Sequence, residues 1–193
     1  MATKIPARMT VAEFFDWCPE DEQLWQLVDG EPVAMAPAST THGLIQNEIG
    51  RLLGNHLADR NHPCRVVTTP GVTPHVEKTH NMRVPDLAVT CAPTDEDGRV
   101  LSEPVLVIEI LSPSNHHETW ANVWAYTTIP SVREILVVSS VEVSAELLRR
   151  GKDGVWPEQP ARITEGEVEL ESLGGFRCPL AAFYRTTKLA PPK

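Results

Sequence analysis

Two short apolar runs constrain this chain more than any other feature. The first is Arg83-Val84-Pro85-Asp86-Leu87-Ala88-Val89, and the second is Val105-Leu106-Val107-Ile108-Glu109-Ile110-Leu111. Each carries one carboxylate. Pro104 precedes the second run and Ser112-Pro113-Ser114 ends it, so it reads as a strand. Its alternation offers no solvent face, as in a strand covered on both sides. An acid at Glu109 is costly there unless it is paired or bound to a metal. Asp86 follows Pro85, which keeps the preceding backbone extended. Taken alone, Asp86 fits a turn cap as well as a ligand. Together, two acids on neighbouring strands converge on one point, the arrangement by which oxygen ligands hold a hard divalent cation.

The rest of the chain reads as helices and strands around these two runs. Thr10 and Glu13 have capping-box spacing and start a short helix through Phe14, Phe15 and Trp17. Asp29-Gly30 separates two apolar arms, Leu24–Val28 and Glu31–Met35, and predicts a hairpin. Leu44, Ile45, Ile49, Leu52 and Leu53 recur at helical spacing over about His42–Leu57, after cap candidates Ser39-Thr40-Thr41. Strands are expected at Cys64–Thr68, Gly71–Thr73, Asp86–Cys91, Val105–Leu111, Glu134–Val138, Val141–Leu148 and Val168–Glu171. A helix through Trp120, Val123, Trp124 and Tyr126 follows Pro113 and stops at Ile129-Pro130, and Leu180–Tyr184 forms a last helical turn. Trp120 and Trp124 read as core packing rather than base stacking. Thr94-Asp95-Glu96-Asp97-Gly98 lacks calcium-loop spacing and reads as a solvated loop. The order fits an α/β sheet flanked by helices better than a doubly wound fold.

Several function classes lose support. No apolar run reaches membrane-span length, and the N-terminus has no apolar signal core, so the expected location is cytoplasmic. No Gly-rich phosphate loop is present. Cys18, Cys64, Cys91 and Cys178 form no CxxC pair, which leaves a zinc ribbon or redox motif unsupported and points to reduced, mostly buried thiols. His116 and His117 are expected in a loop, without spaced partners for zinc. The net charge of −9 opposes the counterion release that drives nucleic-acid binding, although a bound metal or a local basic rim can offset it.

Read together, the segments Leu27-Val28-Asp29-Gly30-Glu31, His42, Arg83–Val89, Val107–Ser114 and Ile129-Pro130-Ser131-Val132-Arg133-Glu134 resemble the Uma2 family of restriction endonucleases, within the PD-(D/E)XK nuclease superfamily. The resemblance runs from about Thr10 to Tyr184. It implies an α/β restriction-endonuclease-like fold with a mixed sheet flanked by helices. One domain is expected over 1–193, with its core at about 10–185. The implied activity is Mg²⁺- or Mn²⁺-dependent hydrolysis of DNA, and the expected partners are DNA and a second copy of the chain, with no membrane. Asp86 and Glu109 would ligate the ion, with the Ile110 carbonyl as a further ligand.

The superfamily places a lysine two residues after the glutamate, where this chain has Leu111. The family's alternative K-x-x-x-Y frame is Asn122-Val123-Trp124-Ala125-Tyr126, with Asn122 in the lysine position. Glu118 and Asn122 share a helical face and are assigned to the catalytic surroundings. Gln26, where the family usually has glutamate, and His42 are assigned to the cleft wall. The competing function is a non-catalytic binding or assembly protein that keeps the nuclease scaffold. The missing lysine, Gln26 and the acidic charge favour it, and the two retained carboxylates favour the enzyme.

Overall fold

The computed structural model describes residues 8–17, 23–93 and 98–190. Cys18 and residues 94–97 lie outside them, as does the expectation that the latter form a solvated loop. The longest apolar run forms β5 (Pro104–Leu111), buried without interruption from Leu106 to Ile110. It lies inside a six-stranded sheet with β3 (Arg65–Thr68), β4 (Leu87–Thr90), β6 (Glu134–Ser139), β7 (Ala145–Arg149) and β8 (Ala161–Ile163). The strand order is β3-β4-β5-β6-β7-β8. All neighbours are antiparallel except β5 and β6. The mixed sheet flanked by helices is the α/β architecture expected from the sequence.

A parallel pair cannot be closed by a tight turn, so the chain crosses over through α3 (His116–Tyr126) between β5 and β6. Side chains alternate across β5 and set its two faces. Leu106, Ile108 and Ile110 pack with Ile45, Ile49 and Leu53 of α2 (Thr40–Asp59). Val107 packs with Val123 and Tyr126 of α3. Burial of each such aliphatic side chain is worth about 1.5–3 kcal/mol, which fixes the register as well as the layers. Ser39 caps α2 by accepting the His42 backbone N–H at 3.2 Å.

A third apolar cluster holds α1 (Val11–Trp17) against the hairpin of β1 (Trp25–Val28) and β2 (Glu31–Ala34). Thr10 and Glu13 make the expected capping box, with bonds of 2.7 and 3.2 Å. The hairpin turn places Asp29 at φ 50° and Gly30 at φ 87°, the left-handed pair that such two-residue turns require. Leu27 and Met82 exchange backbone bonds of 2.8 and 3.0 Å. Asn81, fully buried, exchanges bonds of 2.9 Å with the Asp29 backbone and side chain. The segment leading into Pro85-Asp86 is thereby fixed before β4 begins.

Several expectations are corrected. His116 and His117 open α3 rather than sit in a loop. β7 begins at Ala145, because Val141–Ser144 are spent on a turn. Gly71 and Val72 make only isolated bridges. Trp124 is 44% exposed and is not core, whereas Trp120 packs on the α3-side cluster. β8 and β10 (Phe176–Pro179), the latter paired with β9 (Glu167–Leu170), carry too little apolar alternation to stand out in the sequence. Cys64 and Cys91 are not independent thiols but form a disulfide, while Cys178 is free and buried. No helix among the described residues is long and apolar enough to cross a membrane.

Candidate metal-binding and catalytic site

The pairing of Leu87 with Ile108 sets Asp86, one residue before β4, opposite Glu109. The two carboxyl groups meet, and the Asp86 charge opposes ionisation of Glu109. Asp86 Oδ2 accepts the Ile110 backbone N–H at 2.6 Å, taking a ladder position that β4 has already vacated. Because the N–H and C=O of one residue point to the same neighbour in an antiparallel pair, the Ile110 carbonyl lies on this edge too. Asp86 Oδ1 meets His42 Nε2 at 2.7 Å, and Gln46 Nε2 donates to the Asp86 carbonyl at 2.8 Å. His42 and Gln46 stand four residues apart, so one face of α2 holds Asp86 by side chain and backbone.

Glu109 is 7% exposed and accepts a hydrogen bond from the Tyr126 hydroxyl at 2.7 Å. Burial, reinforced by the Asp86 carboxylate, pushes its carboxyl well above the ordinary range, against the pull of the Tyr126 bond. Burial and the facing Glu109 charge likewise push the Tyr126 phenol well above its usual value.

Two other acidic side chains among the described residues are as deeply buried, and both have cations. Glu48 accepts from Arg51 at 2.6 Å and from Arg185 at 2.8 Å. Glu134 accepts from Arg149 at 2.7 Å and from the Ser172 backbone at 2.9 Å. Glu109 has a phenol and a second carboxylate instead. Arg83, also buried, spends Nη1 on the Leu27 carbonyl at 2.8 Å and interacts with Tyr126 and Asp29. Its Nε has no partner, and burial lowers its pKa. Two carboxyl groups and a carbonyl at one strand edge, with no arginine or lysine on Glu109, form a donor set that suits a hard divalent cation.

The remaining sequence-expected residues divide. Asn122 is one helical turn before Tyr126 and donates to Gln26 Oε1 at 3.4 Å; Gln26 itself is buried on β1. The pair forms a wall between α3 and the hairpin, and the Asn122 amide makes no hydrogen bond to either carboxylate. Glu118 is exposed in the first turn of α3 and has no hydrogen bond or ion pair among the described residues. Sequence reasoning gave no role to Gln46 or Arg83. Gln46 was accessible through its spacing from His42, and Arg83 through its place in the Arg-Val-Pro-Asp run.

The Uma2 family profile, described as a putative restriction endonuclease, matches residues 11–181. The chain is a member of the Uma2 family. An uncharacterised protein from Synechocystis sp. is 27% identical over 169 residues, covering 86% of this chain and 87% of its own length. The crystal structure of a putative nuclease belonging to DUF820, from Anabaena variabilis, superposes with a TM-score of 0.71 at 18% identity. That match covers 91% of this chain and 97% of the other. At that identity the likeness speaks for the shared fold.

Proposed function

We propose that this Uma2 protein is a DNA endonuclease that depends on a divalent metal and has low intrinsic activity, centred on Asp86 and Glu109. One observation carries the reading: Glu109 is a buried carboxylate facing a second carboxylate, without the cation that Glu48 and Glu134 each have. Asp86, Glu109 and the Ile110 carbonyl would hold Mg²⁺ or Mn²⁺. When bound, the ion would neutralise the acid pair and lower the pKa of its water, giving a nucleophile for phosphodiester hydrolysis. Tyr126 holds Glu109, while His42 and the Ile110 N–H hold the two Asp86 oxygens. DNA as the substrate rests on the family description.

Asn122 supplies no positive charge where the resemblance expects lysine. Loss of one transition-state donor costs about 2.7–4 kcal/mol, a factor of about 10²–10³ in rate. The second reading, a binding or assembly scaffold, draws support from that absence and from the Asn122–Gln26 contact.

The test combines metal binding with cleavage. Millimolar Mg²⁺ or Mn²⁺ should raise the melting temperature of the wild type and leave Asp86→Ala unmoved. Wild type should nick supercoiled plasmid weakly or not at all, Asn122→Lys should raise nicking, and Glu109→Ala should abolish it. An identical metal response from wild type and Asp86→Ala removes the proposed site. Metal binding without cleavage by either wild type or Asn122→Lys, and without DNA binding at low salt, favours the scaffold.

A further inference from the structure

At the far end of β4 from Asp86, His62, Cys64 and Cys91 bring one imidazole nitrogen and two sulfurs within 4.8 Å of one another. Cys64 immediately precedes β3 and Cys91 immediately follows β4. The register pairing Arg65 with Thr90 therefore makes the cysteines cross-strand neighbours at the sheet edge. In this structure the two sulfurs are joined as a disulfide. A disulfide has no use for an imidazole, yet one stands at ligand range. His62 is half-buried, and its backbone N–H donates to the Leu57 carbonyl at 2.9 Å, whereas its ring's one hydrogen bond among the described residues is a long 3.4 Å contact from the Cys64 backbone N–H. On its other side is Gly174, where even an added Cβ would stay 3.8 Å from the ring. The ring is thus placed beside the sulfurs without being committed to another bond.

We propose that His62, Cys64 and Cys91 form a binding site for a thiophilic divalent metal ion, Zn²⁺ by preference, when the Cys64–Cys91 pair is reduced. Tetrahedral zinc with bonds of about 2.3 Å to sulfur and about 2.0 Å to nitrogen separates its ligands by about 3.5–3.8 Å. Small side-chain adjustments from the observed spacing meet that requirement. A dithiol reductant delivers two electrons and two protons to the disulfide and is itself oxidised to a disulfide. The two resulting thiols then release their protons to solvent as the thiolates bind the ion. Three protein ligands leave the fourth position to water. The ion would clip edge strand β3 to β4 in a reducing setting, as the bond does in an oxidising one. Nothing in this proposal depends on the nuclease reading.

The test uses the full chain with Cys18→Ser and Cys178→Ser, reduced with a phosphine and shown by thiol titration to carry two free thiols. Co²⁺ serves as the spectroscopic probe, and Zn²⁺ displaces it in the presence of a chromophoric chelator. One equivalent of Co²⁺ should give thiolate-to-cobalt charge transfer, which Zn²⁺ abolishes. Further Cys64→Ser or Cys91→Ser should remove the band, and His62→Ala should weaken binding by more than roughly tenfold. The oxidised protein should bind no ion there. Absence of the band with both thiols titratable overturns the site, as does a band that survives Cys64→Ser. Unchanged affinity in His62→Ala overturns the three-ligand assignment. Because His62→Ala leaves both cysteines in place, it keeps the test decisive if a serine variant folds poorly.

Discussion

Replacement of Tyr126 by phenylalanine isolates the energetics of the buried acid. The Tyr126 hydroxyl is fully enclosed and donates to Glu109 at 2.7 Å. Removing it leaves a carboxyl oxygen without a donor and without water to replace one, a loss of about 1–3 kcal/mol. For a chain of this size about 2 kcal/mol lowers the melting temperature by about 4–8 °C. The pH dependence has a definite sign. The folded-state pKa of Glu109 lies above its unfolded value, so the wild type loses stability as pH rises from the ordinary carboxylate range through the raised value. The Tyr126 bond favours the ionised form, so the Tyr126→Phe deficit should grow across that window. In a Glu109→Gln background no charge develops, and the deficit should be smaller and constant with pH. Denaturant unfolding of all four proteins of this cycle, with chelator present and from acid to mildly alkaline pH, measures both terms. A Tyr126→Phe deficit that is flat with pH and equal in the two backgrounds would show that Glu109 is not the strained acid described here.

Two further substitutions test the scaffold around the site. Arg185, then Arg51, lowers the Glu48 pKa from 4.5 to about 2, so Glu48→Gln should cost about 2–3 kcal/mol at neutral pH, after screening at the exposed arginines. That contribution is present above the ordinary carboxylate range and should vanish as pH falls from 4.5 towards 2; urea midpoints at neutral pH and pH 3 read the difference. Gly30→Ala should lose at least about 1–2 kcal/mol, from left-handed backbone alone. Its new Cβ would also sit 3.1 Å from the Met9 backbone, so thermal unfolding should fall below that of a Gly43→Ala control, whose Cβ meets nothing.

The acid pair was legible because a carboxylate inside an apolar strand is an anomaly that the sequence displays directly. The same holds for the Asp29-Gly30 turn and for α2, where local chemistry decides the conformation. Other features arise only from three-dimensional neighbours. Tyr126 becomes a partner of Glu109 because the crossover lays α3 over that face, a long-range consequence of strand order. Cys64 and Cys91 are 27 residues apart and become adjacent only through the β3–β4 register, so spacing rules built for local motifs pass over them. Trp124 misled because helical periodicity shows which residues share a face but not how far the covering layer extends. β8 is three residues long with two exposed, and so carries almost no pattern.

The one parallel pair in the large sheet separates two tasks that a hairpin connection would have fused. The ladder of β4, β5 and β6 fixes where the carboxylates stand, and it is sealed by main-chain bonds that are indifferent to side-chain identity. The connecting helix contributes no rung to that ladder, yet it carries residue 122 past the hairpin and residue 126 onto the acid. Residue 122, half-buried at the margin of that helix's core face, can therefore change without touching a rung of the ladder. On the nuclease reading proposed above, a single codon at residue 122 would re-equip the site while the ladder that positions the carboxylates stays assembled.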